Sequence, residues 1–482
     1  MNNSRSEKHL RLFGVTEAQM RQLVAEGLKG GGDWCDLFFE DTVATDLVLR
    51  DGEVNSGGSQ EDYGCGIRVL DGEKTGYAYA ESTAWNELLS AARAAGSIAA
   101  RGTSASAAIK GASSPGTQQA AADGSFYPIK TDWRNTEVAQ FVPVLRKLDA
   151  AIRQKDSRVQ KVVAVLSWQM SEIMMFNSLG ELTTDTRPVA SIIASVIFRQ
   201  GNQIENKTVS RSFRKGAEMI TDALVEELAC KAVEGLDDRF AARRPKGGQM
   251  PVVMAAGASG ILLHEAMGHA FEADFNRKGQ SVFADKMGKR VAMKGINILD
   301  DATIPGNRGS LNYDDEGVPG QKTYMVQDGV LRSYLHDRIS ARYYGIESTG
   351  NGRRESFRFN PIPRMRCTYM ESGRDGTLQD LIGSVKKGIF VDQFANGQVK
   401  IGEGDFTFYV KSGYTIENGR LAMPVKDINI IGNGPEALAD IKAVAGDLKI
   451  DDATWTCGKE QSAFVSCGIP SVLVNKLIVG GE

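Results

Sequence analysis

PVVMAAGASGILLHEAMGHAFEAD, residues 251–274, is the stretch from which the rest of the chain is best read. Its opening, PVVMAAG, is a short apolar run ending in glycine, the pattern of a buried strand. Ala258 to Phe275 then has helical composition, with Ser259 a candidate N-cap. Two of the chain's four histidines, His264 and His269, fall on that helix, so a strand delivers directly into residues able to do chemistry. Just upstream, Arg243-Arg244-Pro245-Lys246-Gly247-Gly248 interrupts all periodicity and marks a boundary between residues 1–242 and 243–482.

Working toward the N-terminus, the pattern is helix and meander, met twice. Thr16 to Gly30 reads as a helix and Asp36 to Leu49 as strand, followed by runs at Ile67–Leu70 and Thr75–Ala80 joined at Asp71-Gly72 by a loop longer than two residues. Ala84 to Ala99 reads as a helix, and the Ala, Ser, Gly and Thr tract 101–125 as a linker. A second round has a helix over 136–152, strands at Val159–Gln169, Ser171–Asn177 and Val189–Arg199, and a helix over 217–233. The order suggests an internal duplication, though no residue-level repeat accompanies it. Toward the C-terminus, short strands alternate with turns such as Asp328-Gly329, Asn418-Gly419 and Gly432-Asn433-Gly434. The expected class is α+β: an N-terminal domain of helices on antiparallel sheet, and a β-rich C-terminal domain carrying the histidine helix.

Composition narrows the function. With 42% hydrophobic and 24% charged residues the chain is an ordinary folded protein, while 53 glycines in 482 residues, against a usual share of about 7%, indicate many tight turns. Fifty-seven basic against 60 acidic residues give a net charge of −3, which argues against direct nucleic-acid binding. No run is long and apolar enough to span a membrane, and the start lacks an apolar signal segment, so a cytoplasmic location is expected. Six scattered cysteines without a CxxC pair read as reduced thiols.

HEAMGH reads either as a buried helix with two satisfied histidines or as the residue types of a metallopeptidase: two histidines for a metal, and a glutamate beside the first as general base. The spacing is HExxxH, however. At about 100° per residue, positions five apart lie about 140° apart around a regular α-helix and cannot share an ion. A π-type widening, at about 4.4 residues per turn, would bring them together, and Gly268 is the residue best able to tolerate it. The helix is therefore expected to be distorted between Glu265 and His269. Glu272, three residues on, could be a third ligand or a carboxylate orienting a histidine. Cys457 and Cys467 are competing thiols. Arg353 and Arg354 lie in a basic cluster that is either solvated or holds a substrate carboxylate or oxyanion.

HEAMGHAFEAD is similar to the signature of the TldD/PmbA metallopeptidases, long labelled modulators of DNA gyrase. GIRVLDGEKTGYAYA (66–80), ATIPGNRGSLNYDDEG (302–317), STGNGRRESFRFNPIPRM (348–365), GDFTFYVKSGYTIENGRLAMPVKD (404–427), IIGNG (430–434) and CGK (457–459) through LIVGG resemble family blocks in order. The resemblance implies Zn2+ held by His264, His269 and Cys457, with Glu265 as general base, in a catalytic TldD-type member. It further implies cleavage of unfolded peptides, including maturation of small modified peptide precursors. Assembly would be a homodimer or a heterodimer with a paralogous non-catalytic subunit. The alternative is a non-catalytic binding subunit or regulator linked to DNA gyrase. At CGKEQSAFVSCG the chain departs from the family, which commonly has glycine before the glutamine.

Overall fold

The computed structural model describes residues 2–100 and 125–481; the tract expected to be a linker lies outside them but for Ser125. Strands β1 (Trp34–Arg50), β2 (Glu53–Asp71), β3 (Lys74–Ala80), β4 (Val159–Asn177), β5 (Leu182–Gln200) and β6 (Gln203–Phe213) form one antiparallel sheet in the order β3-β2-β1-β4-β5-β6. Alternation along a strand sends side chains to opposite faces. On one face Leu37, Phe39 and Ile67 pack beneath helices α2 (Glu17–Leu28) and α3 (Trp85–Ala100), which follow α1 (Asn2–Phe13). Leu166, Ile192 and Val196 do the same beneath α4 (Val142–Lys155) and α5 (Asp222–Val233). On the other face Phe38, Ile173 and Met175 close on Phe357 from the C-terminal region. Burial on both faces explains why β1 is buried from Trp34 to Thr42 without a polar-out rhythm.

Several sequence expectations change here. The β2–β3 hairpin pairs Asp71 with Lys74, so its loop is the ideal two residues, Gly72 and Glu73. Val159–Gln169 and Ser171–Asn177 are one continuous strand, because Met170 keeps the alternation and pairs with both Val43 and Pro188. The polar run QIENKTVSRSF forms β6, an edge strand whose exposure hides it from a hydrophobic-pattern search.

In the C-terminal region Gly248–Met254 lies between Lys387–Lys400, in parallel, and Val472–Gly480, antiparallel. From there the ladder continues through Asn429–Asn433 to Asp405–Glu417, which pairs back onto Lys387–Lys400 and closes a barrel. Asn418-Gly419 turns the next hairpin with both residues at positive φ. A second sheet holds Ile298–Asp301, Lys322–Gln327, Cys367–Met370 and Ser466–Ile469. The histidine helix is buried against the barrel, its Leu262, Leu263, Met267 and Ala270 in one core with Phe394, Phe406 and Phe408. Among the described residues no helix is long and apolar enough to cross a membrane.

Candidate metal centre

The strand 248–254 leads through Gly257 into a 3₁₀ turn, Ala258–Gly260, one α-turn, Ile261–Leu263, and then a π-turn, His264–Gly268. Ser259 lies inside the first turn and does not cap it. Within the π-turn the His269 N–H bonds the His264 carbonyl, five residues back, so the two imidazoles meet with ring centroids 5.2 Å apart. This is the widening that the five-residue spacing demands. Gly268 has ordinary helical dihedrals, φ −55° and ψ −51°, so the distortion itself does not require glycine. Its requirement is space: a Cβ there would sit 2.1 Å from Met365 Sδ. Gly434 answers the same need, since its Cβ would lie 2.3 Å from the Ala266 carbonyl oxygen. The Gly432-Asn433-Gly434 run is accordingly no hairpin turn but the end of a strand and the start of the helix Gly434–Ala439, pressed onto the π-turn.

Cys457 arrives from a hairpin, Thr456–Lys459 paired with Gln461–Phe464. Its Sγ lies 3.2 Å from His269 Nε2, and one ligand atom each from His264, His269 and Cys457 fall within 4.8 Å of one another, all three side chains buried. Arg364 clamps the hairpin, donating to the Cys457 and Gln461 carbonyls at 2.6 Å each. Burial alone would push the Cys457 thiol up; His264 and His269 outweigh it and bring the thiol down to about 4, a thiolate at neutral pH.

Glu272 ends the helix with ψ 127° and is fully buried. One carboxylate oxygen, Oε2, stands 3.0 Å from His269 Nδ1 and 3.0 Å from Lys459 Nζ. With Nδ1 so engaged, His269 presents Nε2 to the Cys457 side, and Glu272 stands at the opposite edge of the ring. Burial would raise the Glu272 carboxyl, but Lys459, His269 and Arg364 hold it at about 2. Lys459 also bonds Asp274 at 2.8 Å, tying the thiol hairpin to the histidine helix. No spacing rule points to Lys459, Arg364 or Gly434. Their places in the family-like blocks CGK, STGNGRRESFRFNPIPRM and IIGNG were the signals available.

Glu265 is half-buried and makes no hydrogen bond among the described residues. Cys467 sits on the second sheet, its thiol pushed up by burial, outside the three-residue cluster. Lys278, Lys286, Lys289, Arg290 and Lys294 are exposed, a solvated face. Arg353 and Arg354 are instead buried; Arg354 bonds the Asp315 carbonyl and lies 3.5 Å from Asp36. Two imidazoles and a thiolate converging in a buried site are the donor chemistry that zinc prefers, so the residues present fit that metal.

Residues 247–481 match the PmbA/TldA metallopeptidase C-terminal domain, 35–99 its domain 1 and 131–238 its central domain. A Haemophilus influenzae protein named metalloprotease TldD homolog is 36% identical over 457 residues, 93% of each chain. A zinc metalloprotease TldD homolog from Saccharolobus solfataricus is 36% identical over 239 residues, 49% of this chain and 53% of its own. The fold is shared with a Thermotoga maritima protein described as a candidate modulator of a DNA gyrase, with TM-score 0.75 and 23% identity, covering 96% of this chain and 100% of that one. TldE from Thermococcus kodakarensis is similar to the same degree, with TM-score 0.75 and 20% identity over 96% of this chain and 100% of its own. The chain belongs to the PmbA/TldD metallopeptidase family.

Proposed function

We propose that this chain is a zinc-dependent peptidase of the HExxxH type, acting on unfolded or extended peptides, small modified precursors among them. The observation that carries it is the convergence of His264, His269 and Cys457 beside an unpaired Glu265 on a helix bent to bring them together. Zinc held by these three residues would supply the Lewis acid for amide hydrolysis. Glu265, free of other partners, takes the proton from the attacking water and returns it to the leaving amine. Glu272 holds His269 in the tautomer that presents Nε2, and Lys459 keeps Glu272 ionised. A peptide bound through its main chain against a sheet edge would be read with little regard to sequence, as each non-proline residue offers the same N–H and C=O.

A relative named zinc metalloprotease supports the metal, and the assembly is a homodimer or a heterodimer with a paralogous subunit. Six free cysteines among the described residues accord with a cytoplasmic setting. The donor set favours an enzyme over a purely regulatory gyrase partner. Glu265→Gln retains shape and loses the base, so it should keep about one equivalent of zinc while cleavage of casein or unfolded peptides falls by a factor of about 10² to 10⁴. Zinc by atomic absorption and cleavage by mass spectrometry test this, with a chelator abolishing wild-type activity. Loss of zinc in the variant would make Glu265 a ligand; unimpaired cleavage would remove it from the chemistry.

A further inference from the structure

A cavity of about 550 Å³ separates the open face of β1, β4 and β5 from the thiol hairpin, and Glu40, Gln169, Ser171, Arg214, Arg353 and Phe464 are among its walls. It adjoins the metal centre by two routes. Ala463 in its wall pairs with Cys457, and Arg353 donates to the carbonyl of Met365, the residue packed on Gly268.

The cavity is bordered by buried guanidinium groups that form no ion pair among the described residues. Arg353, 5% exposed, makes a single side-chain hydrogen bond among the described residues, 2.6 Å to the Met365 carbonyl. Arg214 is spent on two carbonyls, Arg308 and Pro188, and stacks over Tyr127. Behind the wall, Arg308 stacks over the ring of the lining residue Phe464 and bonds the Trp455 carbonyl and three hydroxyls, Ser191, Ser212 and Thr456. None of the three has a carboxylate within ion-pairing distance among the described residues, whereas Arg187, Arg354 and Arg358 around the same cavity all do. The acids in the walls are already engaged. Asp315 is taken by Arg187, Asp62 by Arg358, Glu355 by the Ser462 N–H, and Glu40 by Thr42 and the Phe357 N–H. Burial raises Glu40 to about 7, which weakens its charge further, while burial, with Arg214 nearby, holds Arg353 and Arg308 down at about 9. Burying a cation without a counter-ion is costly, and a built site open to a cavity recovers that cost when an anion enters.

We propose that this cavity is a carboxylate subsite for the peptide substrate, with Arg353 the direct contact and Arg214 and Arg308 supplying the surrounding positive field. The proposal rests on the peptidase reading for its ligand. The carboxylate is either the peptide's C-terminal group or an Asp or Glu side chain, and the same chemistry recognises both.

The test uses the full-length Glu265→Gln chain and fluorescence anisotropy with three labelled decapeptides: a free C-terminal acid without Asp or Glu, its C-terminal amide, and the amide with one internal Asp. At least one carboxylate-bearing peptide should bind about tenfold more tightly than the neutral amide. The free acid winning identifies the C-terminus; the Asp peptide winning identifies a side chain. Adding Arg353→Gln should bring the ratio to within about twofold of one. If that variant does not fold, Arg353→Lys, which keeps the charge and loses the planar fork, should still cut the preference by about threefold. Equal binding of all three peptides, or a preference untouched by either substitution, overturns the subsite. Because the readout is binding, it separates the two ideas. Carboxylate preference in a chain that never cleaves peptides would refute only the peptidase reading, and cleavage without preference only the subsite.

Discussion

The N-terminal sheet and the metal centre are built in opposite ways. In the sheet, β1 and β4 stay in register from Asp36–Asn177 to Arg50–Val163 without a break, so each pair is set by its neighbours and by alternating burial. At the metal centre, past the strand Gly248–Met254, no segment keeps one geometry for more than five residues: 3₁₀, α, π and 3₁₀ follow one another between Ala258 and Phe271. The first region is held by repetition, the second by individual close contacts. Single substitutions should therefore be absorbed in one and not in the other.

The sharpest expression of that difference is a comparison of two thiols ten residues apart. Cys457→Ser removes the softest donor from a three-residue set, and zinc binding should weaken by at least about 10²-fold, with peptide cleavage falling in step. Cys467→Ser, on a regular strand paired with Thr368, should keep a full equivalent of zinc. Metal titration of both proteins against a chromophoric chelator decides it. Normal zinc in Cys457→Ser would move the third ligand elsewhere and leave the convergence in the core without a purpose.

A second comparison uses glycines. Gly434→Ala drives a methyl to 2.3 Å from the Ala266 carbonyl on the π-turn, and neither backbone can withdraw without disturbing the histidines. About 2 to 4 kcal/mol of stability should be lost, with metal affinity. Gly58→Ala on the exposed part of β2 meets nothing within 4 Å and should cost no stability, gaining up to about 1 kcal/mol from the smaller entropy lost on folding. Denaturant melts with and without zinc measure both; similar losses at the two positions would erase the distinction.

The same contrast governs what the sequence made legible. Helix-and-meander order, the closing hairpins and the α+β class follow from periods of 2 and 3.6 that many residues share, so errors such as splitting β4 or missing β6 were local. That His264 and His269 meet was legible, because a spacing of five brings two such residues together only across a π-turn. Cys457 was not separable from Cys467 by residue type, since 188 positions divide it from His269 and only the tertiary fold spans them. Glu272 could be placed near the site but not given its role, because whether it meets the metal or Nδ1 depends on the chain leaving the helix at that residue. Arg353 and Arg354 were read as one basic cluster; that Arg354 has a carboxylate beside it and Arg353 has none is a property of the packed structure alone.

The smallest expected effect falls where the chain departs from its family, and it sharpens the contrast from the other side. Glu460 occupies the tip of the thiol hairpin, between the paired Lys459 and Gln461, with φ at +57°. A side chain in the left-handed region costs about 1 to 2 kcal/mol, and glycine avoids that penalty while losing about 0.5 to 1 kcal/mol more backbone entropy on folding. Glu460→Gly should thus raise stability by about 0 to 1.5 kcal/mol, seen as a small upward shift in the unfolding midpoint. Zinc affinity should be unchanged, because Lys459, Arg364 and the Cys457–Ala463 pair already fix the hairpin below its tip. If zinc affinity rose with stability, the turn would be setting the position of Cys457, and the hairpin would have to be counted among the close contacts that define the site.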